Sequence, residues 1–277
     1  MKYTSAKYIR ETLNENSFSP LKKFGQNFLI DENIVNKICE VAGIKDQNVV
    51  EIGPGLGALT SYMLKSAKKL VAVEIDNGFY RYLTDEFKNE KTLKIINNDI
   101  LQVDIEKLIY GEFGSEEIIL AANLPYYITT ACIMKFLTAN INISRLVVMV
   151  QKEVANRLCA KPGDKGYGSI SAIISHFGKA TQEISVSKNC FYPMPDIDST
   201  VIKIEVENKP SDATSKFIDF VRVCFAMKRK TLFNNLKKAG YDKEKIISAL
   251  QSLSLDEKIR AERLSENDFA RLIKALT

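Results

Sequence analysis

The sequence predicts an α/β protein: a doubly wound, mostly parallel sheet with an antiparallel pair at one edge, followed by a small all-α C-terminal domain. Three observations carry this. Apolar runs of five or six residues alternate with helix-length stretches between positions 48 and 150, the pattern of parallel strands buried on both faces and joined by right-handed crossovers. Two segments of alternating polarity, 180–186 and 200–207, close that region. Beyond Asn208 the strand-like runs stop and helical periodicity takes over.

In chain order, residues 1–24 hold five Lys or Arg against two acidic residues and read as a basic N-terminal extension. Residues 25–207 form the α/β domain. Its first strand, Asn48–Ile52, ends in the turn Gly53-Pro54-Gly55-Leu56-Gly57, and a helix is expected over 58–68. Strands follow at 70–76 and 93–99 with a helix over 78–89 between them, then at 118–127 and, after a further helix, at 145–150. The antiparallel pair is joined by a long loop running from Lys188 through Phe191-Tyr192-Pro193-Met194-Pro195 to Ser199. Segment 161–169 carries three glycines and a proline and is expected to be a mobile loop. After the linker 208–215, helical stretches at 217–240, 242–253 and 266–276 make residues 208–277 a separate helical domain.

Composition narrows the chemistry. The 277 residues are 45% hydrophobic and 26% charged, as in ordinary globular proteins, with a net charge of +5. The surplus is uneven: 19 basic against 23 acidic residues in 25–207, but 15 against 9 in 208–277. Basic flanks around an acidic-leaning middle suit a polyanion held beside a site whose own ligand is not anionic, although solvated lysine-rich helices give the same counts. His176 is the sole histidine, which excludes a His-based triad or a two-histidine metal site within one chain, and no metal is expected. The five cysteines are far apart with no C-x-x-C pair and read as reduced thiols. No apolar run approaches the roughly 18 residues of a membrane span, and the N-terminus lacks a signal-peptide apolar segment. A soluble cytoplasmic protein without a membrane partner is expected.

Three constellations bear chemistry. The glycine turn after the first strand lets backbone approach a ligand at the carboxyl edge of the sheet. Glu74 ends the second strand about 20 residues later, where a carboxylate can accept from both hydroxyls of a ribose; Asp99 ends the third, placed to meet an adenine amino group. Asn123-Leu124-Pro125-Tyr126 ends the fourth strand. An Asn side-chain oxygen and a backbone carbonyl beside proline could accept from the two N–H groups of an adenine amine, with Tyr126 stacking on the extruded base. In the long loop, Phe191 could close the second face of such a base. Taken singly, each segment is also what an ordinary turn or hairpin loop looks like.

Together with Lys22-Lys23-Phe24-Gly25-Gln26-Asn27-Phe28-Leu29 and the run from Val221 to Leu236, these motifs resemble the ribosomal RNA adenine dimethylase family, nearest its bacterial small-subunit members, from about Leu21 to the C-terminus. The resemblance implies a Rossmann-like S-adenosylmethionine-dependent methyltransferase sheet and dimethylation of N6 on two adjacent adenines in the 3′-terminal hairpin loop of small-subunit (16S) rRNA. It further implies a monomer working on an immature small ribosomal subunit. Carried over by position, Asn27, Leu29, Gly53, Gly55, Glu74, Asp99 and Asn123 would line the cofactor site; Asn123, Leu124, Pro125, Tyr126 and Phe191 would hold the target base. Lys22, Lys23, Lys228, Arg229, Lys230, Lys237 and Lys238 would meet RNA phosphates. Two departures stand out: Tyr127 where the family usually has Asn, and Ala226-Met227-Lys228 in place of a more polar sequence. Two rival readings are a large-subunit rRNA methyltransferase conferring antibiotic resistance and a non-catalytic ribosome-assembly or transcription factor that kept the fold.

Overall fold

Runs such as Leu70-Val71-Ala72-Val73 have no polar face to offer water, so they are satisfied only inside a sheet covered on both sides. The computed structural model, which describes residues 2–16, 18 and 27–276, builds that sheet. The chain divides into two compact units, residues 1–155 with 181–209, and residues 156–180 with 210–277.

The first unit opens with a 3-10 turn (Lys2–Thr4) and helix α1 (Ala6–Glu15), and continues through β1 (Phe28–Leu29), α2 (Glu32–Ala42), β2 (Asn48–Ile52) and α3 (Ala58–Met63). Next come β3 (Lys69–Glu74), α4 (Asn77–Glu86), β4 (Leu93–Asn97), α5 (Ile105–Phe113), β5 (Ile118–Asn123) and α6 (Thr129–Thr138). β6 (Ile143–Gln151) leads into α7 (Lys152–Leu158), which crosses the unit boundary into α8 (Ser169–Phe177); β7 (Gly178–Val186), β8 (Phe191–Tyr192) and β9 (Ser199–Val206) follow. Seven strands form one sheet in the order β4-β3-β2-β5-β6-β9-β7. β2 pairs in parallel with β3 and β5, β3 with β4, and β5 with β6, while β9 is antiparallel to β6. All five residues of β2 are buried, whereas edge strand β4 is half exposed along its length.

Local chemistry sets the helix ends. Asp31 accepts from Asn33 N and Ile34 N at the start of α2, and Asp76 accepts from Gly78 N and Phe79 N at the start of α4, each satisfying amides with no partner inside the helix. α2 stops at Gly43, in the left-handed conformation.

The structure departs from the sequence expectation in several places. The helix expected to run to residue 68 stops at Met63. Ser66 O is drawn into a bond with Asp46 N and Lys68 N into one with Gln47 O, both 2.8 Å, so 64–68 serve as a turn delivering β3 alongside β2. The connection after β7 contains β8, paired antiparallel with β1 in the register Phe28↔Tyr192 and Leu29↔Phe191. Phe28, Leu29 and Phe191 are buried there, and their burial rather than any strand periodicity drives the pairing. The N-terminal extension contains an amphipathic helix whose Ile9 and Leu13 pack with Phe28, Leu56 and Phe79.

In the second unit, α8 packs on α9 (Asp212–Cys224) and α12 (Glu266–Leu276), while α10 (Leu232–Lys238) packs on α9 and α11 (Lys243–Ser252), and α11 on α12. Residues 156–180, which the sequence boundary at 207/208 leaves with the sheet, therefore group with the helices. His176 lies on α8, stacked on Phe217 with ring centroids 4.1 Å apart and bonded through Nδ1 to Glu266 at 2.9 Å, as a packing residue. The helix expected over 217–240 is broken after Cys224. Buried Asn235 accepts from Met227 N at 2.7 Å and donates to Thr231 O, so its amide replaces the helical bonds of the turn between α9 and α10.

Segment 161–169, expected to be mobile, is tied down. Tyr167 is 6% exposed and its hydroxyl donates to Leu264 O at 2.8 Å, and Gly163 N donates to Glu262 O. Replacing Tyr167 by Phe strands that carbonyl, at a cost of about 1–3 kcal/mol. Chemical denaturation should show this loss together with faster proteolytic cleavage within 161–168; a variant as stable and as resistant as the wild type would contradict it.

Candidate active site

Because β2, β3, β4 and β5 run in parallel and in register, their carboxyl ends face one edge of the sheet. β3 and β4 extend to one side of β2, whereas β5 and β6 lie on the other. The chain therefore leaves β2 and β5 in opposite directions, which opens a crevice between their ends. The glycine turn enters it with left-handed φ values of 66° at Gly53, 58° at Gly55 and 84° at Gly57. At Gly55 a side chain would stand 3.2 Å from the Phe28 ring, and at Gly57 it would come within 2.8 Å of Phe87. Only glycine allows both this backbone path and this closeness.

Three carboxyl groups reach the cavity from successive strands. Glu74 is 3% exposed; its Oε2 accepts from Gly55 N at 3.1 Å and its Oε1 from Asp76 N at 2.8 Å. A carboxylate has about four acceptor positions, so two backbone bonds leave capacity for two further donors. Burial raises its pKa, and the two backbone bonds oppose the rise. Glu51 is 1% exposed and accepts from Thr60 Oγ1 at 2.6 Å. Burial pushes its carboxyl up to about 8, against the Thr60 bond and with help from the charge of Glu74. Asp99 accepts from Leu101 N at 2.9 Å, which fixes the turn after β4.

The opposite wall comes from the end of β5. Asn123 Nδ2 donates to Asn27 O at 3.2 Å, which leaves the amide oxygen for an incoming donor. Pro125 O is already engaged by Ile128 N and Thr129 Oγ1, which makes Leu124 O the backbone carbonyl suited to accept beside it. Tyr126 hydrogen-bonds Ser199 Oγ at 3.0 Å, and burial raises its pKa. Tyr127 follows at 55% exposure.

All these groups line one cavity that opens to solvent, with about 1010 Å³ of space when its open mouth is counted. Asn27, Leu29, Gly53, Gly55, Glu74, Asp99, Asn123, Leu124, Pro125 and Tyr126 all lie on its wall. Phe191 does not: it is 3% exposed, bridged to Leu29 and packed in the hydrophobic core with Ile34 and Val35. In the connection between β7 and β9 the exposed large hydrophobic side chains are Met194 and Ile197. Lys22 and Lys23 lie outside the described residues. In the second unit Lys228, Arg229 and Lys230 are exposed on the turn that Asn235 holds, and Lys237 and Lys238 are exposed at the end of α10.

Neither Glu51 nor Tyr3, both on the wall, was assigned a role from the sequence. Glu51 was detectable as the one acidic side chain in a strand otherwise read as apolar. Tyr3 had no signal, since nothing in residues 1–24 indicates that a helix folds back on the sheet. Among the described residues the cavity wall carries no Lys, Arg or His, and no cluster of three or more His, Cys, Asp or Glu could hold a metal ion. No helix among them is long and apolar enough to cross a membrane.

Residues 18–277 match the ribosomal RNA adenine dimethylase family. The chain is 43% identical over 276 residues to ribosomal RNA small subunit methyltransferase A of Geobacillus sp. strain WCH70, covering 96% of this chain and 95% of the relative. The enzyme of the same name from Bacillus licheniformis is 42% identical over 272 residues, covering 95% and 93%. Among solved structures, a dimethyladenosine transferase from Plasmodium falciparum superposes with a TM-score of 0.74 at 27% identity, over 89% of this chain and 96% of that one. A 23S rRNA methyltransferase shares the fold with a TM-score of 0.69 at 22% identity, over 90% and 99%.

The buried carboxyl of Glu51 couples stability to pH. Its pKa in the folded chain is raised above the value of about 4.3 in an unfolded one, so its contribution is complete below about pH 4 and is lost as pH rises through about 8. The ligand-free protein should therefore lose stability steadily as pH rises across that window. Glu51→Gln should flatten the dependence of Tm on pH between about 5 and 8.5; the same slope in both proteins would contradict the assignment.

Proposed function

The chain belongs to the ribosomal RNA adenine dimethylase family, and from that membership and the geometry of its cavity we propose that it uses S-adenosylmethionine to dimethylate N6 of two adjacent adenines in the 3′-terminal hairpin loop of small-subunit (16S) rRNA. One observation carries the reading: nucleoside-type acceptors (Glu74, Asp99) and amine-type acceptors (Asn123 Oδ1, Leu124 O) share one cavity whose described wall holds no basic side chain. Such a wall suits a cationic donor and a neutral amine.

The residues present fit the donor. Glu74 keeps acceptor capacity for ribose hydroxyls beyond its bonds to Gly55 N and Asp76 N. Asp99 would accept from the adenine amine of the cofactor, and Gly53, Gly55, Asn27 and Leu29 shape the remaining wall. When bound, S-adenosylmethionine supplies a methyl group activated by its sulfonium charge. On the acceptor side, Asn123 Oδ1 and Leu124 O take the two N–H groups of the target amine. This turns the nitrogen lone pair out of conjugation with the ring and towards the methyl carbon. The cofactor would supply the methyl carbon and its sulfur would keep the electron pair of the broken C–S bond, while the proton on the alkylated nitrogen would pass to solvent. No strong base is required, in keeping with the sole histidine serving as a packing residue. Tyr126 stacks on the extruded base, which is cheaper to extract from a loop than from a duplex. Phe191, buried in the core and paired with the wall residue Leu29, supports that wall.

The unit of residues 1–155 and 181–209 acts as the methyltransferase domain and that of residues 156–180 and 210–277 as the RNA-holding domain, with Lys228, Arg229, Lys230, Lys237 and Lys238 on phosphates. Lys22 and Lys23 take the same role on the N-terminal side. The substrate is rRNA within an immature small subunit, the enzyme is monomeric, and its place is the cytoplasm.

Tritiated-methyl transfer into unmethylated small subunits, large subunits and naked rRNA, followed by mapping of the modified bases, tests the assignment: label should enter two adjacent small-subunit adenines. Label confined to large-subunit RNA, or none at all, would overturn it. Asn123→Ala should lower turnover at least about 100-fold while cofactor binding stays measurable; near-normal turnover would remove Asn123 from its role. Converting Lys228, Arg229 and Lys230 to Ala should weaken RNA binding and reduce the slope of log affinity against log salt by about 0.7–0.9 for each phosphate no longer neutralised. An unchanged slope would place the RNA elsewhere.

A further inference from the structure

We propose that the N-terminal segment Lys2–Glu15 is part of the cofactor site, with the Tyr3 ring forming a fixed wall of the cavity that positions S-adenosylmethionine. The proposal rests on the reading of that cavity as the cofactor site. The segment precedes the part of the chain that matches the family, which begins at residue 18, yet Tyr3 lines the same cavity as Glu74, Asp99 and Asn123.

The position of Tyr3 is held from several sides. Its hydroxyl donates to Glu86 Oε1 at 2.6 Å, and its ring stacks on Phe87 with centroids 5.5 Å apart and planes 29° apart. Glu86 also pairs with Lys2 Nζ. One helical turn further on, Tyr8 and Tyr82 share a hydroxyl–hydroxyl bond of 2.7 Å. Ile9 and Leu13 then anchor α1 in a cluster with Phe28, Leu56 and Phe79. Phe87 is also the ring that a side chain at Gly57 would strike, so Tyr3, Phe87 and the last glycine of the turn form one contiguous layer.

Burying Ile9 and Leu13 is enough to explain why the helix docks. It does not explain a tyrosine ring brought to the cavity and clamped by a carboxylate and a second ring. A wall fixed in this way spends its ordering entropy on folding rather than on binding, which favours the bound cofactor. Losing the ring removes dispersion attraction and admits water to that side of the cavity.

Calorimetric titration of the full chain with S-adenosylmethionine and S-adenosylhomocysteine tests the proposal. Tyr3→Ala should raise both dissociation constants about tenfold, and Tyr3→Phe, which keeps the ring, should recover binding to within about threefold. In steady-state methylation the KM for cofactor should rise in Tyr3→Ala, with kcat at saturating cofactor and the KM for RNA little changed. A wild-type chain that fails to bind either compound would refute the cofactor reading itself. Binding in the wild type with an unchanged constant in Tyr3→Ala would refute the role of Tyr3. So would a fall in kcat at unchanged cofactor KM, which is what a general loss of structure produces.

Discussion

The site depends on the adjacency of two parallel strands from which the chain leaves in opposite directions. β2 delivers the glycine turn and β5 delivers Asn123 and Leu124, and because they are neighbours their ends stand across one crevice. β3 and β4, in register with them, bring Glu74 and Asp99 to the same edge. Donor-type and acceptor-type groups thus meet without any one loop having to reach far. The remainder of the first unit maintains that register: apolar strands buried on both faces, aspartate-capped helices, and turn 64–68, which delivers β3 beside β2.

The same geometry explains the electrostatics. Burying Glu51 and Glu74 beside a cavity with no cation on its described wall raises both carboxyl pKa values, and a positively charged ligand would relieve that penalty. A target amine needs the opposite treatment: neutral acceptors that orient its two hydrogens. The cavity therefore combines anionic capacity on the β2–β3–β4 side with uncharged acceptors on the β5 side. A methyl transfer from a cation to a weakly nucleophilic amine calls for that division, and it needs neither metal nor histidine.

Much of this was legible in the sequence because strand ends leave marks. A glycine turn after an apolar run, an acidic residue about 20 positions later, and Asn-Leu-Pro-Tyr closing a fourth run each fix a place at the sheet edge before any coordinate is known. Contacts between segments distant in the chain were not legible. Phe191 looked like a base-stacking residue in a loop, and its pairing with Leu29, far back along the chain, is visible only when both are seen buried. Tyr3 was hidden for the same reason. The break after Cys224 also left little trace, because the turn is held by one amide, Asn235, within a sequence whose helical periodicity continues through it.

A crystal structure of the chain with S-adenosylhomocysteine would decide whether this crevice is the methyl-transfer site. The ribose hydroxyls should lie on Glu74, the adenine amine on Asp99, and the thioether sulfur should face open space beside Asn123 Oδ1 and Leu124 O. A ligand bound outside the crevice between β2 and β5, or bound there with its sulfur turned away from Asn123, would contradict it.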